Sequence, residues 1–316
     1  MRTALHALTD ELRRLKTAGV KTVAVSDESV AMLRRIVQAR ARGGAAAAPR
    51  DMPEPAASVL EARAAAVPLK PYEPPVPVYT PKPAPKPAGE VLPPPPIVSL
   101  PPGDKQTRWN MLLELVRNDA TCKAHVRPGK KVVLGAGSVE AKIMFVGEAP
   151  GAEEELQGEP FVGPAGELLT KMIQAMGLKR TEIYIGNVMN WRPELPTPAG
   201  EAQIGNRPPT ESELRYCLPY LRAQIDVVNP GVIVALGATA AHGLLGFAAF
   251  KTLGDVRGRW YEFGGKPLMI TYHPSYLLRP PVDNRKKRLV WEDLLKVMER
   301  AALPIADKQR SYFLDK

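Results

Sequence analysis

The chain has 316 residues and a formal net charge of +10, from 43 basic and 33 acidic side chains. This length allows one large domain or two modest ones, and two cysteines far apart in the sequence exclude a disulfide framework. The basic surplus is compatible with a polyanionic partner. Glycines and His242 interrupt the most apolar window, 230–250, so no membrane span is expected there. The charged start of the chain lacks the apolar core of a signal peptide, and we expect a cytoplasmic protein.

Composition divides the chain into four parts. Residues 1–42 carry apolar side chains at helical spacing and predict a small helical module, which is a candidate contact for a protein partner. More than half of the 34 prolines fall between Pro49 and Pro102, and such a stretch favours an extended conformation that buries little surface. We therefore expect a disordered Pro/Ala-rich linker over 43–104, a folded domain over 105–304 and a tail over 305–316.

The folded part alternates between short apolar runs and helical patterns. The apolar runs predict strands at 142–147, 183–189, 232–237 and 267–272. The helical patterns cover 164–176, 210–228, 238–245 and 289–303. Strand–helix alternation with continuously apolar strands indicates a parallel sheet covered on both faces. The predicted fold class is α/β, a three-layer α/β/α sandwich with a central four-stranded parallel sheet.

Chemically active side chains stand where these predicted strands end. Glu148 follows the first strand, Asn187 lies at the end of the second, and His273 follows the last. Phe161 lies between a proline and glycines at the start of a helix, where its ring is placed to stack on a ligand. Considered alone, Phe161 could equally be a core residue, and His273 could equally have a structural role. Considered together, these residues indicate a ligand site more strongly, because open α/β sheets bind ligands at the carboxyl ends of their strands.

Four motifs in this order resemble the uracil-DNA glycosylase superfamily, and within it the iron–sulfur branch called family 4. They are Gly-Glu-Ala-Pro-Gly at 147–151, Pro-Phe-Val-Gly at 160–163, Asn187, and His-Pro-Ser at 273–275. The resemblance covers roughly residues 108–300. It implies a DNA-repair hydrolase that removes uracil from single- or double-stranded DNA after the target nucleotide has been rotated out of the stack.

The resemblance also implies a role for each matching residue. Glu148 is the catalytic carboxylate that positions or activates water, and His273 polarises uracil O2. Phe161 stacks on the flipped base, and Asn187 reads the uracil edge. Glu154 falls near pyrimidine C5, where it helps to exclude the methyl group of thymine. The other expected substrate-binding residues are Gly147, Ala149 and Gly151.

The segment that follows the His-Pro-Ser motif is expected to contact DNA. The resemblance implies that Leu277 is the wedge that fills the vacated base stack. A basic run at 285–288 lies a few residues further on and adds expected phosphate contacts. The expected DNA-binding residues are Ser275, Leu277, Arg279, Arg285 and Lys286.

One feature of the family is incomplete in this chain. Family 4 enzymes hold a four-iron cluster through four cysteines, and here only Cys122 and Cys217 remain at those positions. Asp119 stands at the first position and Trp191 at the third. Such clusters require four thiolates, so we predict that the cluster is lost, that no metal is bound and that Trp191 fills its volume. A mixed site that uses His125 beside Cys122 is the alternative.

Three hypotheses follow for function. The leading one is a monofunctional uracil-DNA glycosylase that leaves an abasic site. The second is a catalytically weak DNA-binding module of the same fold, which would act as a tether or accessory for a replication or repair partner. The third is a nucleotide enzyme of the Rossmann type, based on Gly-Ala-Gly-Ser at 135–138. That fragment lacks a third glycine and precedes the strand, so its signal is weak.

Overall fold

The computed structural model describes residues 92–197, 201–280 and 283–314. The predicted helical module at 1–42 and most of the predicted linker lie outside these residues. The helices are α1 (Lys105–Asn118), α2 (Ala120–Ala124), α3 (Ala152–Gln157), α4 (Pro164–Ala175), α5 (Glu211–Val228), α6 (Ala238–Leu245), α7 (Leu253–Val256), α8 (Pro274–Leu278), α9 (Asn284–Arg300) and α10 (Asp307–Arg310). The strands are β1 (Ala136–Gly137), β2 (Ile143–Gly147), β3 (Tyr184–Asn187), β4 (Val232–Leu236), β5 (Trp260–Phe263) and β6 (Lys266–Thr271).

In the described part of the chain, six strands form one mixed sheet in the order β1-β3-β2-β4-β6-β5. The four inner strands pair in parallel, and the two edge strands pair antiparallel to their neighbours. The predicted α/β fold class is confirmed, but the predicted sheet is two strands short. β1 has only two residues, and β5 is partly exposed. Neither strand therefore shows the continuous apolar run that marks the inner strands.

Helices cover both faces of the sheet and bury two separate apolar cores. Leu112 of α1, Cys217 of α5 and Ala240 of α6 belong to the core on one face. Leu169 of α4 and Leu294 of α9 belong to the core on the other face. Each inner strand contributes alternate residues to the two cores, as strand geometry requires. Among the described residues, no helix combines the length and the apolar character needed to cross a membrane.

The folded unit extends past both ends of the predicted 105–304 domain. Three apolar residues of the predicted linker pack against the first core: Leu92, Val98 and Leu100. In the predicted tail, Ile305 and Tyr312 pack against the second core, and Trp291 Nε1 donates to Gln309 O at 2.5 Å. Proline-rich composition hides the first of these contacts, because composition does not reveal which few apolar residues find a surface.

The carboxyl ends of the four parallel strands meet at one edge of the sheet. Gly147 ends β2, Asn187 ends β3, Leu236 ends β4 and Thr271 ends β6. Because β3 lies on one side of β2 and β4 on the other, the chain reverses direction across the sheet beside β2. Open α/β sheets form their ligand crevice at such a switch point.

Candidate active site

Glu148 is the first residue after β2, and backbone hydrogen bonds hold its loop against the end of β3. Val188 N–H donates to Gly147 O at 3.0 Å, and Met189 N–H donates to Glu148 O at 3.1 Å. Burial raises the pKa of the Glu148 carboxyl, and a hydrogen bond with Thr239 of α6 opposes that shift. The carboxylate is therefore partly dehydrated, which strengthens its interaction with any positive charge that develops nearby.

Gly147, Asn187 and Phe161 meet closely because Gly147 has no side chain. A Cβ at Gly147 would lie 2.4 Å from Asn187 Oδ1 and 2.6 Å from the ring of Phe161. Asn187 is only 2% exposed, and its Oδ1 has no hydrogen-bond partner among the described residues. A buried acceptor without a donor is costly. This oxygen is therefore set to accept a hydrogen bond from a ligand beside the ring.

The backbone of Phe161 is held in a left-handed conformation, with φ at +56°. This conformation costs a non-glycine residue about 1–3 kcal/mol and persists only where the surroundings fix it. Arg180 Nη2 donates to Pro160 O at 2.6 Å. On the other side, a Cβ at Gly166 would lie 1.8 Å from Phe161 O. The ring is thus fixed in place before any ligand arrives.

Glu154 ties the Glu148 loop to the Phe161 loop. Its Oε2 accepts from Gly151 N–H, and its Oε1 accepts from the N–H groups of Val162 and Gly163, each at 3.0 Å. The carboxylate is buried, so both of its oxygens are committed to these loops. The contacts define Glu154 as a clamp between the two loops, whereas its expected position near pyrimidine C5 stays a prediction. Ala149, between the two carboxylates in sequence, packs against the first core.

His273 follows β6 and forms the N-cap of α8. Ser275 N–H donates to His273 Nδ1 at 3.2 Å, and Ser275 Oγ lies 2.8 Å from the same nitrogen. Burial, and then the charge of Arg279, lower the pKa of His273 to about 4. The imidazole is therefore neutral at pH 7. Because Nδ1 accepts a hydrogen bond, the proton resides on Nε2. The Phe161 and His273 rings lie 5.4 Å apart between centroids.

A buried ion pair holds the strand that leads to His273. Thr271 Oγ1 donates to Asp293 Oδ2 at 2.7 Å, and Arg257 Nη1 donates to both Asp293 oxygens at 2.7–2.8 Å. Burial raises the pKa of Asp293 against the opposing effects of Thr271 and Arg257. The Arg257 guanidinium also lies over the ring of Tyr272, 5.5 Å from its centroid. β6 is thus fixed to α9 just before the histidine.

The two leucines of α8 differ sharply in exposure. Leu277 is 6% exposed and belongs to the second core, whereas Leu278 is 44% exposed. A wedge has to leave the protein surface and enter the base stack, and Leu277 would lose its own packing to do so. The expected role of Leu277 as the wedge stays a prediction, and Leu278 is the exposed leucine of α8.

The expected DNA-binding residues that follow His273 differ in their exposure and in the contacts that they make. Arg279 and Arg285 are exposed, and Lys286 lies over the ring of Tyr276, 4.7 Å from its centroid. Arg288, at the end of the basic run, binds the protein itself: its guanidinium donates to the backbone oxygens of Arg310 and Tyr312. Those carbonyl groups fix the C-terminal segment against α9. Ser275 contacts His273 Nδ1. Its expected role in DNA binding stays a prediction.

Aromatic side chains occupy the region where the family's cluster cysteines would converge. Trp191 is 1% exposed. It stacks on His125 at 4.9 Å between ring centroids and meets Tyr216 edge-on at 6.0 Å. Asp119 accepts from Tyr216 Oη at 2.9–3.0 Å and from Cys122 N–H at 2.7 Å, the latter as the N-cap of α2. Both positions that lack cysteine are thus engaged in protein contacts.

The two remaining cysteines pack as apolar groups. Cys122 and Cys217 are fully buried, and burial raises the pKa of both thiols. Across the described residues, no group of three or more His, Cys, Asp and Glu side chains has the geometry to hold a metal ion. The residues present therefore do not fit a four-iron cluster, which needs four thiolates.

Several residues of the site lie outside the sequence predictions. Thr239 faces Glu148 from an apolar small-residue helix, and Arg180 reaches Pro160 across 20 positions of sequence. Neither residue has a local pattern that distinguishes it. The Arg257–Asp293 pair also lies outside the sequence predictions, because its two residues are 36 positions apart.

Comparison with known proteins agrees with this geometry. The family model described as the uracil DNA glycosylase superfamily matches residues 134–295. This span holds all four parallel strands and the site. The chain belongs to the uracil-DNA glycosylase superfamily.

Within that superfamily, the similarity is to the type-4 branch. The chain is 42% identical over 186 residues to the type-4 uracil-DNA glycosylase of Thermotoga maritima, which covers 58% of this chain and 89% of the relative. It is 40% identical over 176 residues to that of Pyrobaculum aerophilum, covering 54% and 84%. A type-5 uracil-DNA glycosylase of Pyrobaculum aerophilum is 29% identical, covering 52% and 73%.

Proposed function

We propose that the protein hydrolyses the N-glycosidic bond of uracil in DNA and leaves an abasic site. The observation that carries this proposal is the buried Oδ1 of Asn187, which has no hydrogen-bond partner among the described residues and lies beside the fixed ring of Phe161. Stacked on that ring, uracil offers N3–H to Oδ1 and O4 to the amide N–H of Asn187. Cytosine presents the opposite pattern, an acceptor at N3 and a donor at C4. A site built for one pattern rejects the other strongly, because its buried groups are left unpaired.

His273 supports departure of the base. A uracil anion forms when the glycosidic bond breaks, and its charge develops partly on O2. A neutral imidazole that carries its proton on Nε2 donates a hydrogen bond to that oxygen. Removal of one such preorganised donor typically costs about 10²–10³ in rate. Ser275 holds the tautomer that makes this donation possible.

Glu148 supports the sugar. The transition state has oxocarbenium character, and a partly dehydrated carboxylate interacts strongly with that positive charge. The same carboxylate orients the water that attacks C1′, and it accepts the proton that this water loses. Both roles require the ionised form of Glu148.

Access to the base requires extrusion of the nucleotide from the stack, which costs a few kcal/mol. Stacking on an aromatic ring returns about 1–3 kcal/mol per base, and Phe161 provides that ring. Leu278, exposed at the end of α8, is placed to fill the gap that the base leaves behind.

Uracil release from an oligonucleotide with one uracil tests the proposal. The full chain should release uracil and leave a strand that alkali cleaves at the abasic position, whereas Glu148→Ala and His273→Ala should each lower the single-turnover rate by at least about 10². Both variants should retain the oligonucleotide. If the wild type retains DNA without releasing uracil at equimolar protein, the accessory DNA-binding module is the correct reading; the relatives named above do not favour it.

We further propose that the protein works without the iron–sulfur cluster of its family. The support is the set of contacts around Trp191 and Asp119, together with the presence of only two cysteines in the chain. Iron, sulfide and zinc contents of freshly purified protein should be far below one per chain. The protein should also show no visible absorption after anaerobic treatment with iron and sulfide. A brown, active protein would contradict this proposal.

Two expectations remain proposals about context. Because its substrate would be cellular DNA, the proposed function includes a cytoplasmic location. The expected protein partner of residues 1–42 concerns a part of the chain outside the described residues, and it stays a prediction.

A further inference from the structure

A cleft of about 500 Å³ lies at the C-terminal end of α3, and its lining is strongly basic. We call it the basic cleft; its charged lining residues are Arg117, Lys123, Arg127, Lys130 and Lys131. Among the described residues that line it, none is acidic. Like charges gathered in one concavity raise the local concentration of anions. The function proposed above does not use this cleft.

A short helix joins the basic cleft to the catalytic loop. α3 begins directly after Gly151, at the end of the Glu148 loop, and its last residue, Gln157, lines the cleft. Six helical residues span about 9 Å. DNA rises about 3.4 Å per nucleotide on one strand. This length is on the order of a few nucleotide steps, so a strand whose extruded base lies next to Glu148 is long enough to reach the cleft.

Contacts with α3 hold the cleft in shape. Lys131 N–H donates to Glu155 O at 2.7 Å, and Lys131 Nζ donates to Gln157 O at 3.2 Å. The Arg127 guanidinium pairs with buried Glu155 at 2.6 Å, and the same carboxylate pairs with Arg192 at 2.9 Å. The basic residues are thus tied to the element that follows Glu148, so their position relative to the site is fixed.

We infer that the basic cleft binds the phosphodiester backbone of the substrate strand, a few nucleotides from the extruded uracil. The lining favours backbone over base, because its apolar side chains are valines and it has no aromatic ring on which a base could stack. Lysine and arginine side chains are among the groups with which proteins bind phosphate oxygens, and such contacts position a strand without reading its sequence. This inference rests on the proposed function for the strand that occupies the cleft.

Two matched double variants of the full chain test it. Lys123→Gln/Lys130→Gln removes two charges from the cleft. Lys142→Gln/Lys179→Gln removes two exposed charges that lie just before β2 and before β3, at the amino-terminal edge of the parallel strands. The measurement is the dependence of binding of a uracil-free single-stranded oligonucleotide on salt concentration. Thermal melting of both variants establishes that they fold.

Each lost phosphate contact lowers the slope of log K against log salt by about 0.7 on single strands. We expect the slope of the cleft variant to fall by about 1.4 and that of the control variant to match the wild type. The control variant should also release uracil at the wild-type rate. Equal slopes in the two variants would overturn the inference, because a general loss of net charge would then explain the binding.

Oligonucleotides that carry one uracil, shortened one residue at a time from either end, identify the bound phosphates when both double variants also carry Glu148→Ala, which prevents release of the base. The difference between the two variants should disappear when shortening from one end reaches the last few nucleotides before the uracil. If it persists with inorganic phosphate or a free mononucleotide as the only ligand, the cleft is a small-anion site and the inference fails. Uracil release is measured separately. A wild type that releases no uracil would refute the proposed function, whereas a difference in salt slope between the two double variants would still show that the cleft binds the DNA backbone.

Discussion

The imidazole of His273 accepts a hydrogen bond from Ser275, two residues further along the chain, and this contact fixes which ring nitrogen carries the proton. Ser275 N–H lies 3.2 Å from Nδ1, and Ser275 Oγ lies 2.8 Å from it. The pKa of about 4 keeps the ring neutral, so the remaining proton is on Nε2. Two residues of one motif thus fix the tautomer of a neutral imidazole, and no carboxylate of the described residues hydrogen-bonds to this ring.

Ser275→Ala removes one of the two groups that face Nδ1 and keeps the backbone N–H. Since a single hydrogen bond contributes about 1 kcal/mol, we expect the single-turnover rate of uracil release to fall about fivefold. His273→Ala should cost about 10²–10³. The ¹⁵N chemical shifts of the His273 ring report the tautomer directly. A Ser275→Ala variant as inactive as His273→Ala would show that Ser275 acts on the substrate itself.

Activity should fall on the acid side as Glu148 gains a proton. The pKa of Glu148 is raised by burial, whereas His273, at about 4, has already lost its proton at the pH where Glu148 ionises. The acid limb of the single-turnover rate therefore belongs to Glu148 and should lie above the pH range in which a solvent-exposed glutamate titrates. In Glu148→Gln this limb should disappear from the residual rate. A limb that persists in Glu148→Gln would assign it to another group.

The same burial predicts a stability effect of opposite sign. Because the folded-state pKa of Glu148 lies above that of the unfolded chain, the carboxyl stabilises the fold while it is protonated, and this contribution is lost as pH rises through the folded pKa. Glu148→Gln has no charge to bury. Its Tm should exceed that of the wild type at pH 7 and match it near pH 4, where each kcal/mol corresponds to about 2–4 °C. A lower Tm at pH 7 would contradict the dehydrated state of Glu148.

Gly147→Ala should abolish the uracil pocket while leaving the fold in place. The added Cβ would lie 2.4 Å from Asn187 Oδ1 and 2.6 Å from the Phe161 ring. These distances are shorter than van der Waals contact allows, so both groups would have to move. We expect uracil release to fall by at least about tenfold, with binding of uracil-free DNA unchanged. Gly177→Ala is the control for adding a methyl group to a glycine, since a Cβ there meets no atom within 4 Å. The positive φ of Gly177 means that this substitution costs some stability. Normal release by Gly147→Ala would show that Asn187 and Phe161 do not form one pocket.

The sequence predicts the ends of the inner strands well because those strands are buried on both faces and therefore continuously apolar. Glu148, Asn187 and His273 stand at these ends in the structure as they do in the prediction. The edge strands are different. β5 is exposed at two of its four residues, and β1 is too short to carry any pattern, so their pairing depends on neighbours that the local sequence does not reveal.

Contacts between loops explain the remaining differences. Glu154 satisfies backbone N–H groups eight and nine residues away, and no side-chain pattern marks a residue whose partners are backbone. Leu277 and Leu278 are the same residue type in adjacent positions. Which of them is buried depends on how α8 packs on α4, and this is a tertiary contact. The resemblance to a family predicts a wedge at this point of the chain, and the structure adds that Leu277 is buried and Leu278 exposed.

The choice between these two leucines as the wedge gives the last prediction. Leu278→Ala removes an exposed side chain and should leave Tm within about 1 °C of the wild type. It should lower the rate on double-stranded DNA by about tenfold and change the rate on single-stranded DNA little, because only the duplex leaves a gap for the wedge to fill. Leu277→Ala removes a core side chain and should cost about 2–5 kcal/mol of stability. At temperatures where this variant begins to unfold, it should lose activity equally on single-stranded and double-stranded DNA.

Leu156→Ala is the matched control, because Leu156 is exposed on α3 and makes no part of the α8 surface. It should leave the ratio of the duplex to the single-strand rate unchanged. A duplex-specific defect in Leu277→Ala, with Leu278→Ala behaving like Leu156→Ala, would return the wedge to Leu277. That result would require α8 to rotate when DNA binds, since the buried side chain of Leu277 could not otherwise reach the stack.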